Sequence, residues 1–356
     1  MKPIADTLRP YFADLESKDL FSGVVFITQG PTTLFAEAYG YASRAWKIKN
    51  TLETRFDCAS VTKLFTAVAT LQLIEQGKLA LDMSVIDYLG ISDTTISKAV
   101  TPFHLLTHSS GIADDADEEA GEAYEDLWKT KANYSVLETV DFLPQFIHKP
   151  PNFAPGAGCR YCNVSFVLLG LMIEKATGMS YRDYVRQHVF ARAGMSRSDF
   201  FRMDRVSEDV AEGCDPITDE SENVIGWKKN IYSYPPVGSP DGGAHVTAGD
   251  LLRFLRALQA GTMTSPELTQ QMLSPHVFHS ESDKSVMRCG FAFEFEQRKM
   301  DTLHYFHKDG FNVGVSANLR HYPSLDLSIA ILSNRSDGAW KPLRHMHEVL
   351  VAATQP

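Results

Sequence analysis

Residues 56–77 read FDCASVTKLFTAVATLQLIEQG and contain both a possible reactive pair and a long apolar run. The apolar run after Lys63 predicts a buried helix over 61–76, which Gly77 ends as its C′ residue. Because Ser60 precedes Lys63 by three positions at the helix start, the two side chains are expected on one face, one turn apart. This stretch therefore predicts a hydroxyl and an amine side by side on a buried element.

Ser60 and Lys63 have the chemistry of an activated nucleophile. A serine hydroxyl is a weak nucleophile at neutral pH, and an adjacent lysine can take its proton if burial or a neighbouring cation lowers the lysine pKa. The positive potential of the helix N-terminus and the Ser60 backbone N–H would stabilise a developing oxyanion. Ser-x-x-Lys also occurs by chance in a chain of this size, so the pair needs support from elsewhere in the sequence.

Before this helix, the sequence predicts a helix and then a β-hairpin. Apolar residues from Ile4 to Leu15 have helical spacing. Two β-rich runs, residues 21–30 and 32–43, flank the turn signal Gln29-Gly30-Pro31 and indicate a hairpin. From residue 82 to residue 239 the pattern becomes helical, with loops rich in Pro, Gly and Asp.

After residue 240 the chain returns to a β pattern. A helix is predicted to begin after Thr247, which is a suitable N-cap. A terminal helix is predicted over 341–353. Between these helices lie four strand candidates, residues 288–297, 302–310, 314–322 and 325–334.

Strands at both chain ends with helices between them predict an α+β fold. The expected architecture is one antiparallel sheet flanked by N- and C-terminal helices, with a mainly helical inserted domain. The sheet domain would be discontinuous, residues 1–81 and 240–356, and the helical domain would span residues 82–239. At 356 residues the chain is long enough for two such units.

Composition excludes several classes of protein. The 34 basic residues are outnumbered by 44 acidic ones, a net charge of -10, which argues against a nucleic-acid partner. No apolar run is long enough for a membrane span, and the charged N-terminus lacks a signal-peptide pattern, so a cytoplasmic location is expected. Five scattered cysteines indicate a reducing compartment rather than a disulfide framework. The oligomeric state is left open.

Two further motifs carry polar groups suited to the same site. In Tyr161-Cys162-Asn163, the phenol could act as a general base, with a phenolate made accessible by nearby lysines, and the amide could bind a substrate carbonyl or a lysine. In Lys308-Asp309-Gly310, the lysine supplies a cation, the glycine allows close approach of the backbone, and the Phe311 N–H could be a second oxyanion donor. Each motif alone has an ordinary structural explanation, a packed tyrosine or a turn.

Together, Ser-x-x-Lys, Tyr-x-Asn and Lys-x-Gly in this order resemble the serine β-lactamase and penicillin-binding protein superfamily. The similarity is greatest to class C β-lactamases, family VIII carboxylesterases and D-aminopeptidases. Residues 104–111, 154–178 and 241–255 resemble further conserved segments of that superfamily. The resemblance covers about residues 21–332 and implies that the α+β fold is of the β-lactamase/transpeptidase-like type. It is more specific for the fold and the nucleophile than for the substrate.

The resemblance implies a role for each motif residue. Ser60 would be the acylated nucleophile, Lys63 its activating partner, and Tyr161 the base that also protonates the leaving group. The substrate-binding residues would be Asn163, Lys308, Asp309, Gly310 and Phe311, with the N–H groups of Ser60 and Phe311 as the oxyanion hole. No metal and no cofactor are expected.

Two departures from the superfamily pattern concern substrate charge. Asp309 stands where β-lactamases usually carry a hydroxyl residue that helps to hold a substrate carboxylate. Between Asp114 and Asp126 the chain carries eight acidic residues and no basic one. This segment is either an ordinary solvated loop or an acidic rim that disfavours anionic substrates.

A third departure is Cys162, where the superfamily usually has Ser or Ala. Cys159 and Cys162 form a C-x-x-C, but it lacks a second metal-ligand pair and a thioredoxin-like context, so both are interpreted as packing residues. His104 and His108 are four residues apart and could bind a metal if helical, but the resemblance implies that they are structural, and no third ligand lies at a useful spacing.

The sequence therefore predicts a serine hydrolase that forms an acyl-enzyme on Ser60 and acts on small neutral esters or amides. The alternatives are a β-lactamase, a D-aminopeptidase or amidase, and an acyltransferase. A non-catalytic scaffold that retains the fold is the alternative of another class. The expected partner is a small ester, amide or lactam substrate.

Overall fold

Eight strands form the main sheet of the computed structural model, which describes residues 4–301 and 303–354. The strands of this sheet are β1 Gly23–Gln29, β2 Thr32–Tyr39, β9 Val277–Glu281, β10 Ser285–Cys289, β11 Glu294–Arg298, β12 Tyr305–Asn312, β13 Val315–Tyr322 and β14 Leu327–Ser333. Their order is β2-β1-β14-β13-β12-β11-β10-β9, and every neighbouring pair is antiparallel. Because β1 pairs with β14, the sheet joins the two ends of the chain, as the sequence predicted.

Three two-stranded pairings lie outside the main sheet. They are β3 Tyr41–Ser43 with β4 Ile48–Lys49, β5 Phe56–Asp57 with β8 His245–Val246, and β6 Cys214–Thr218 with β7 Val224–Lys229. The helices are α1 Ile4–Ser17, α2 Lys63–Glu75, α3 Val85–Leu89, α4 Pro102–Leu106, α5 Leu127–Thr130, α6 Asn163–Thr177, α7 Tyr181–Val185, α8 Ala191–Ala193, α9 Ala248–Gln259, α10 Pro266–Met272 and α11 Trp340–Thr354.

Both faces of the main sheet are covered, and β14 shows this most clearly. Side chains alternate between the faces of a strand. Ile329 and Ile331 pack in the core that contains the apolar residues of α1 and α11. Ala330 and Leu332 pack on the other face, in the core that contains those of α2, α6 and α9. This double covering explains why β14 is apolar along nearly its whole length although its neighbours are antiparallel.

The predicted helices at 4–15, 61–76 and 341–353 are confirmed within two residues at their ends, but the start of the second has a different form. There the chain forms a 3₁₀ turn, Ala59–Thr62, before α2 begins at Lys63. Thr247 caps α9 as expected, since its Oγ1 accepts a hydrogen bond from the Asp250 N–H at 3.1 Å.

One strand prediction was wrong, and one hairpin was not predicted. Residues 288–297 do not form one strand, because the chain breaks between β10 and β11, where Ala292 has φ of 64°. The β6–β7 hairpin lies in a stretch predicted to be helical. The strand predicted to begin at Thr302 starts at Tyr305, and Thr302 itself lies outside the described residues. The domain limits at 81/82 and 239/240 stay a prediction.

Three elements meet at the predicted nucleophile. The 3₁₀ turn with Ser60 leads into α2, the start of α6 lies beside it, and the edge of β12 runs against the turn. Gly310 makes this approach possible, since a Cβ there would lie 2.1 Å from the carbonyl oxygen of Cys58. The main sheet, through β12, and helix α6 thus enclose the N-terminal end of α2 between them.

Candidate active site

Ser60 lies on a strained turn that its neighbours hold in place. Ala59 has φ of 42°, a left-handed conformation that costs a non-glycine residue about 1 kcal/mol or more. The Ala59 N–H donates to Asp57 Oδ1 at 2.7 Å, and the Ala59 carbonyl accepts from Gly243 N at 3.3 Å. These contacts fix the backbone that presents Ser60 to the cavity.

Lys63 is fully buried, with 0% of its surface exposed, and its ammonium contacts three oxygens. Nζ lies 3.0 Å from Ser60 Oγ, 2.7 Å from Asn163 Oδ1 and 2.5 Å from the Asp241 carbonyl oxygen. Burial lowers the pKa of Lys63 to about 8. About a tenth of the molecules therefore carry a neutral amine at pH 7, which can accept a proton.

The orientation of the Asn163 amide is set by Asp114. Asp114 Oδ2 accepts from the Asn163 backbone N–H at 2.8 Å and from Nδ2 at 3.1 Å, which turns Oδ1 toward Lys63. Asp114 Oδ1 also accepts from the Val164 N–H at 3.0 Å, so this carboxylate caps α6. Burial raises the pKa of Asp114 to about 6, although the hydrogen bonds from the Asn163 and Val164 N–H groups act to lower it. The sequence placed Asp114 in an acidic segment and did not predict this role.

Tyr161 lies against the serine and between the two lysines. Its hydroxyl donates to Ser60 Oγ at 2.7 Å, and the ammonium groups of Lys63 and Lys308 lie 5.0 and 4.8 Å from its ring centroid. Burial nevertheless raises the pKa of Tyr161 well above its usual value. The sequence expectation that nearby lysines make a phenolate accessible is therefore not met, and the resting group is a neutral phenol.

The ammonium of Lys308 is already paired. Only 1% of the residue is exposed, and its Nζ lies 2.7 Å from Glu294 Oε1. Burial disfavours the charge on Glu294, but the positive charge of Lys308 outweighs it and keeps the carboxyl pKa below its usual value. The sequence predicted Lys308 but missed Glu294, because only the pairing of β11 with β12 brings Glu294 to it.

Asp309 lies on the same strand with 43% of its side chain exposed. Its Oδ1 lies 3.0 Å from His307 Nδ1 and also accepts from Asn318 Nδ2. Burial opposes ionisation of Asp309, but the nearby His307 outweighs it and keeps the carboxyl pKa below its usual range. Asp309 is therefore an anion held in the wall of the cavity described next.

A cavity of about 310 Å³ opens beside Ser60. Four carboxylates line it, Glu118, Glu119, Glu294 and Asp309. A second, smaller cleft also reaches Ser60, and Phe311 lines both. The remaining residues that line the cavity are Ser60, His108, Tyr161, His279, Met287, Cys289, Lys308 and Phe311.

The acidic segment 114–126 is not a uniformly solvated loop. Asp114 and Asp115 are buried beneath the site, and Asp117 pairs with Arg160 at 2.6 Å. Glu118 and Glu119 reach the cavity wall. The segment thus contributes two carboxylates to the surface that a substrate would meet.

The remaining predicted residues have structural partners. His108 is buried, its Nδ1 accepts from the Cys162 N–H at 3.2 Å, and its ring lies 4.7 Å from that of Tyr161. His104 completes a capping box with Thr101 at the start of α4. Cys162 is buried with its Sγ 3.6 Å from the Ile112 carbonyl oxygen.

Residues 8–353 match the family model described as Beta-lactamase. The chain belongs to this family. The fold supports the assignment, because a penicillin-binding protein from Bacillus halodurans superposes with a TM-score of 0.85 and 36% identity, covering 94% of this chain and 99% of that one. The predicted α+β, β-lactamase-like fold is therefore confirmed.

Relatives within this family include both penicillin-binding proteins and an esterase. A penicillin-binding protein of Bacillus subtilis (strain 168) is 28% identical over 75% of this chain, which spans 59% of that relative's length. Esterase EstB of Burkholderia gladioli is 29% identical over 71% of this chain and 69% of its own length. This Beta-lactamase family member thus has relatives that are named as penicillin-binding proteins and one that is named as an esterase. In the part of the chain that the structure describes, no helix combines the length and apolarity needed to cross a bilayer.

Proposed function

We propose that this protein is a serine hydrolase that forms an acyl-enzyme on Ser60 and acts on small neutral esters or amides. The observation that carries the proposal is the contact set around Ser60 Oγ, with Lys63 Nζ at 3.0 Å and the Tyr161 hydroxyl at 2.7 Å. A nucleophile and a base within hydrogen-bond reach of each other are what acyl transfer to serine requires. A scaffold without activity has no need of a buried lysine with a lowered pKa.

Lys63 is the base in this proposal. Two of its three contacts, Asn163 Oδ1 and the Asp241 carbonyl, are pure acceptors that hold two N–H groups. When Lys63 is neutral, these acceptors keep both remaining hydrogens, so the lone pair faces Ser60 Oγ. The amine then takes the serine proton as Oγ attacks the substrate carbonyl carbon, and the acyl bond to Oγ forms.

Tyr161 passes the proton onward. The tetrahedral intermediate is stabilised by the backbone N–H groups of Ser60 and Phe311, with Gly310 allowing β12 to lie close to the serine. Tyr161, a neutral phenol between two ammonium groups, donates its proton to the leaving group and regains one from Lys63. Water then attacks the acyl-enzyme by the reverse route and releases the acid.

The charge of the cavity supports neutral substrates. A substrate carboxylate needs a free cation, but the ammonium of Lys308 is paired with Glu294 at 2.7 Å. Three more carboxylates, those of Glu118, Glu119 and Asp309, line the same wall. Bringing a carboxylate into this cavity therefore costs repulsion that a neutral ester avoids.

A second candidate is hydrolysis of amides that carry a free amine. Glu118 lines both the cavity and the smaller cleft, and among the described residues it makes no ion pair. Its carboxylate is thus available to an ammonium group near the acyl carbon. This observation favours an aminopeptidase- or amidase-like activity over hydrolysis of an anionic lactam.

The test is a substrate panel of p-nitrophenyl butyrate, a D-amino-acid p-nitroanilide and nitrocefin, with Ser60→Ala as the control. The expected order of kcat/KM has the neutral ester or the amine-bearing amide above nitrocefin. Ser60→Ala and Lys63→Ala should each lose about 10³-fold or more in turnover. A clear preference for nitrocefin would refute the substrate proposal. A fluorophosphonate probe that labels wild type and Ser60→Ala equally would refute Ser60 as nucleophile.

A further inference from the structure

Two cysteine thiols lie in contact at the cavity wall. Cys159 Sγ is 3.3 Å from Cys289 Sγ, and neither sulfur is in a disulfide. Cys289 is the last residue of β10 and lines the cavity beside Ser60. Cys159 lies two positions before Tyr161, in the loop that leads into α6. The pair therefore joins the cavity wall to the segment that carries a proposed catalytic side chain.

We propose that Cys159 and Cys289 are a modification site, at which a peroxide forms a reversible disulfide that inactivates the enzyme. The cross-link follows from the thiol geometry alone, whereas its effect on turnover rests on the proposed function of Tyr161. The pair does not include Cys162, the other cysteine of the C-x-x-C in the sequence, because Cys162 is turned away toward the Ile112 carbonyl.

The reaction balances with one peroxide per pair. The Cys159 sulfur attacks a peroxide oxygen, the O–O bond breaks, and a sulfenic acid and one water form. The Cys289 sulfur then attacks the sulfenic sulfur, the S–O bond breaks, and the hydroxyl leaves as a second water with the Cys289 proton. The two thiols lose two electrons in total, and the peroxide gains them. A thiol reductant reverses the step by thiol–disulfide exchange.

Exposure selects Cys159 as the first thiol to react. Cys159 is partly exposed, whereas Cys58, Cys162, Cys214 and Cys289 are buried. The hydrogen bond with Cys159 and burial raise the pKa of Cys289, and burial raises that of Cys162, so neither is a ready thiolate. Cys289 acts only as the resolving thiol, for which contact with Cys159 is sufficient.

Closing the bond should displace Tyr161. A disulfide has an S–S length of about 2.05 Å, so the sulfurs must approach by about 1.3 Å from their present contact. Cys289 is held between β9 and β11, where it pairs with Val277 and Glu294. The loop with Cys159 therefore takes up most of the movement. Because Tyr161 follows in that loop, its 2.7 Å contact with Ser60 Oγ should be lost.

The first test is disulfide mapping of the wild-type protein after treatment with hydrogen peroxide, by non-reducing digestion and mass spectrometry. The expected product is a peptide pair joined through Cys159 and Cys289 that disappears on reduction. A Cys159–Cys162 link, a link between two chains, or no link would overturn the proposal. This test needs no activity, so it stands even if the proposed function is wrong.

The second test measures ester turnover before and after peroxide, and again after reduction. Wild type should lose about tenfold or more of its rate and recover it on reduction, since displacements of about 1 Å in a catalytic group can have effects of this size. Cys159→Ser and Cys289→Ser should keep their rates after peroxide, whereas Cys214→Ser, a control at a distant buried thiol, should lose activity as wild type does. Full activity in a cross-linked wild-type sample would overturn the inactivation.

Discussion

At the scale of single residues, the role of each buried lysine in the candidate site depends on whether a carboxylate contacts it. Lys63 is buried without a contacting carboxylate and has a lowered pKa, whereas Lys308 is buried against Glu294 at 2.7 Å. The same side chain thus serves as a proposed proton acceptor in one place and as a balanced cation in the other. Burial without a contacting counter-ion favours the neutral amine of Lys63.

The pKa of Lys63 predicts the pH dependence of the reaction. Burial lowers this pKa to about 8, so the neutral, proton-accepting form appears as the pH rises through that value. The kcat/KM for a neutral ester should therefore increase about tenfold between pH 7 and pH 9. Initial rates of p-nitrophenyl butyrate hydrolysis, corrected for spontaneous hydrolysis, measure it. A profile that is flat or falls over this range would contradict Lys63 as the base.

Glu294→Gln should relax the selection against anions, because it leaves the Lys308 ammonium without its carboxylate. We expect the ratio of kcat/KM for the p-nitrophenyl monoester of succinic acid to that of p-nitrophenyl butyrate to rise about tenfold, equivalent to about 1.4 kcal/mol. The two substrates share a leaving group and differ in one charge. Glu281→Gln, which removes an exposed carboxylate paired with Lys299 at 2.6 Å, is the matched control and should leave the ratio unchanged. An unchanged ratio in Glu294→Gln would mean that another group sets the selection.

At the scale of elements, the site is the meeting point of α2, α6 and β12. Two of the side chains are presented by helix starts, with Lys63 at the start of α2 and Asn163 at the start of α6. The packing of these elements is close. A Cβ on Gly170 of α6 would lie 2.1 Å from Pro240 Cγ, next to the Asp241 carbonyl that accepts from Lys63. Backbone contacts therefore determine the distances between side chains.

Gly310→Ala tests the approach of β12 to Ser60, the proposed nucleophile. The new Cβ would lie 2.1 Å from the Cys58 carbonyl oxygen, a backbone atom that cannot rotate away, so β12 must shift from the Ser60 turn. Turnover should fall about 10²-fold and the melting temperature should decrease. Gly226→Ala on β7 is the control, since its nearest atom is Ile217 Cδ1 at 3.7 Å. Equal activity of the two variants would show that β12 does not need this approach.

At the scale of the whole molecule, the net charge of -10 has the same sign as the cavity wall. A field of one sign reaches incoming ligands over about a Debye length, roughly 10 Å at 0.1 M salt. The overall charge and the local carboxylates therefore act together against anions. The acidic segment from Asp114 to Asp126 contributes both to the net charge and to the cavity wall, because two of its acidic residues line the cavity.

The dependence of kcat/KM on ionic strength should reveal the effect of this negative field. Raising the ionic strength from 10 to 300 mM should increase kcat/KM for the succinic monoester severalfold, because salt screens the repulsion. The rate for p-nitrophenyl butyrate should stay nearly constant, since a neutral ester meets no net repulsion. Potassium chloride titrations with both substrates measure the effect. Parallel salt responses for the two esters would point to a general effect of salt on the enzyme rather than to electrostatic selection.

The sequence alone was sufficient where the deciding interactions are local. Ser60 and Lys63 are three residues apart, so helical geometry at the start of α2 brings them together without help from the rest of the fold. The periodicities that predict α1, α2 and α11 are likewise properties of short segments. The order of the motifs predicted that Tyr161, Asn163 and Lys308 belong to the same site, and it was sufficient to predict the family.

Only the tertiary structure decided the contacts between distant segments. Tyr161 contacts Ser60 although it lies 101 positions away. Glu294 contacts Lys308 through the pairing of β11 and β12. Cys159 contacts Cys289, although Cys162 is closer to it in the sequence. Strand register and burial set these pairings, and neither can be derived from the spacing of residues along the chain. The physical reason is that a pKa and a charge balance depend on all groups within a few ångströms, whichever part of the chain supplies them.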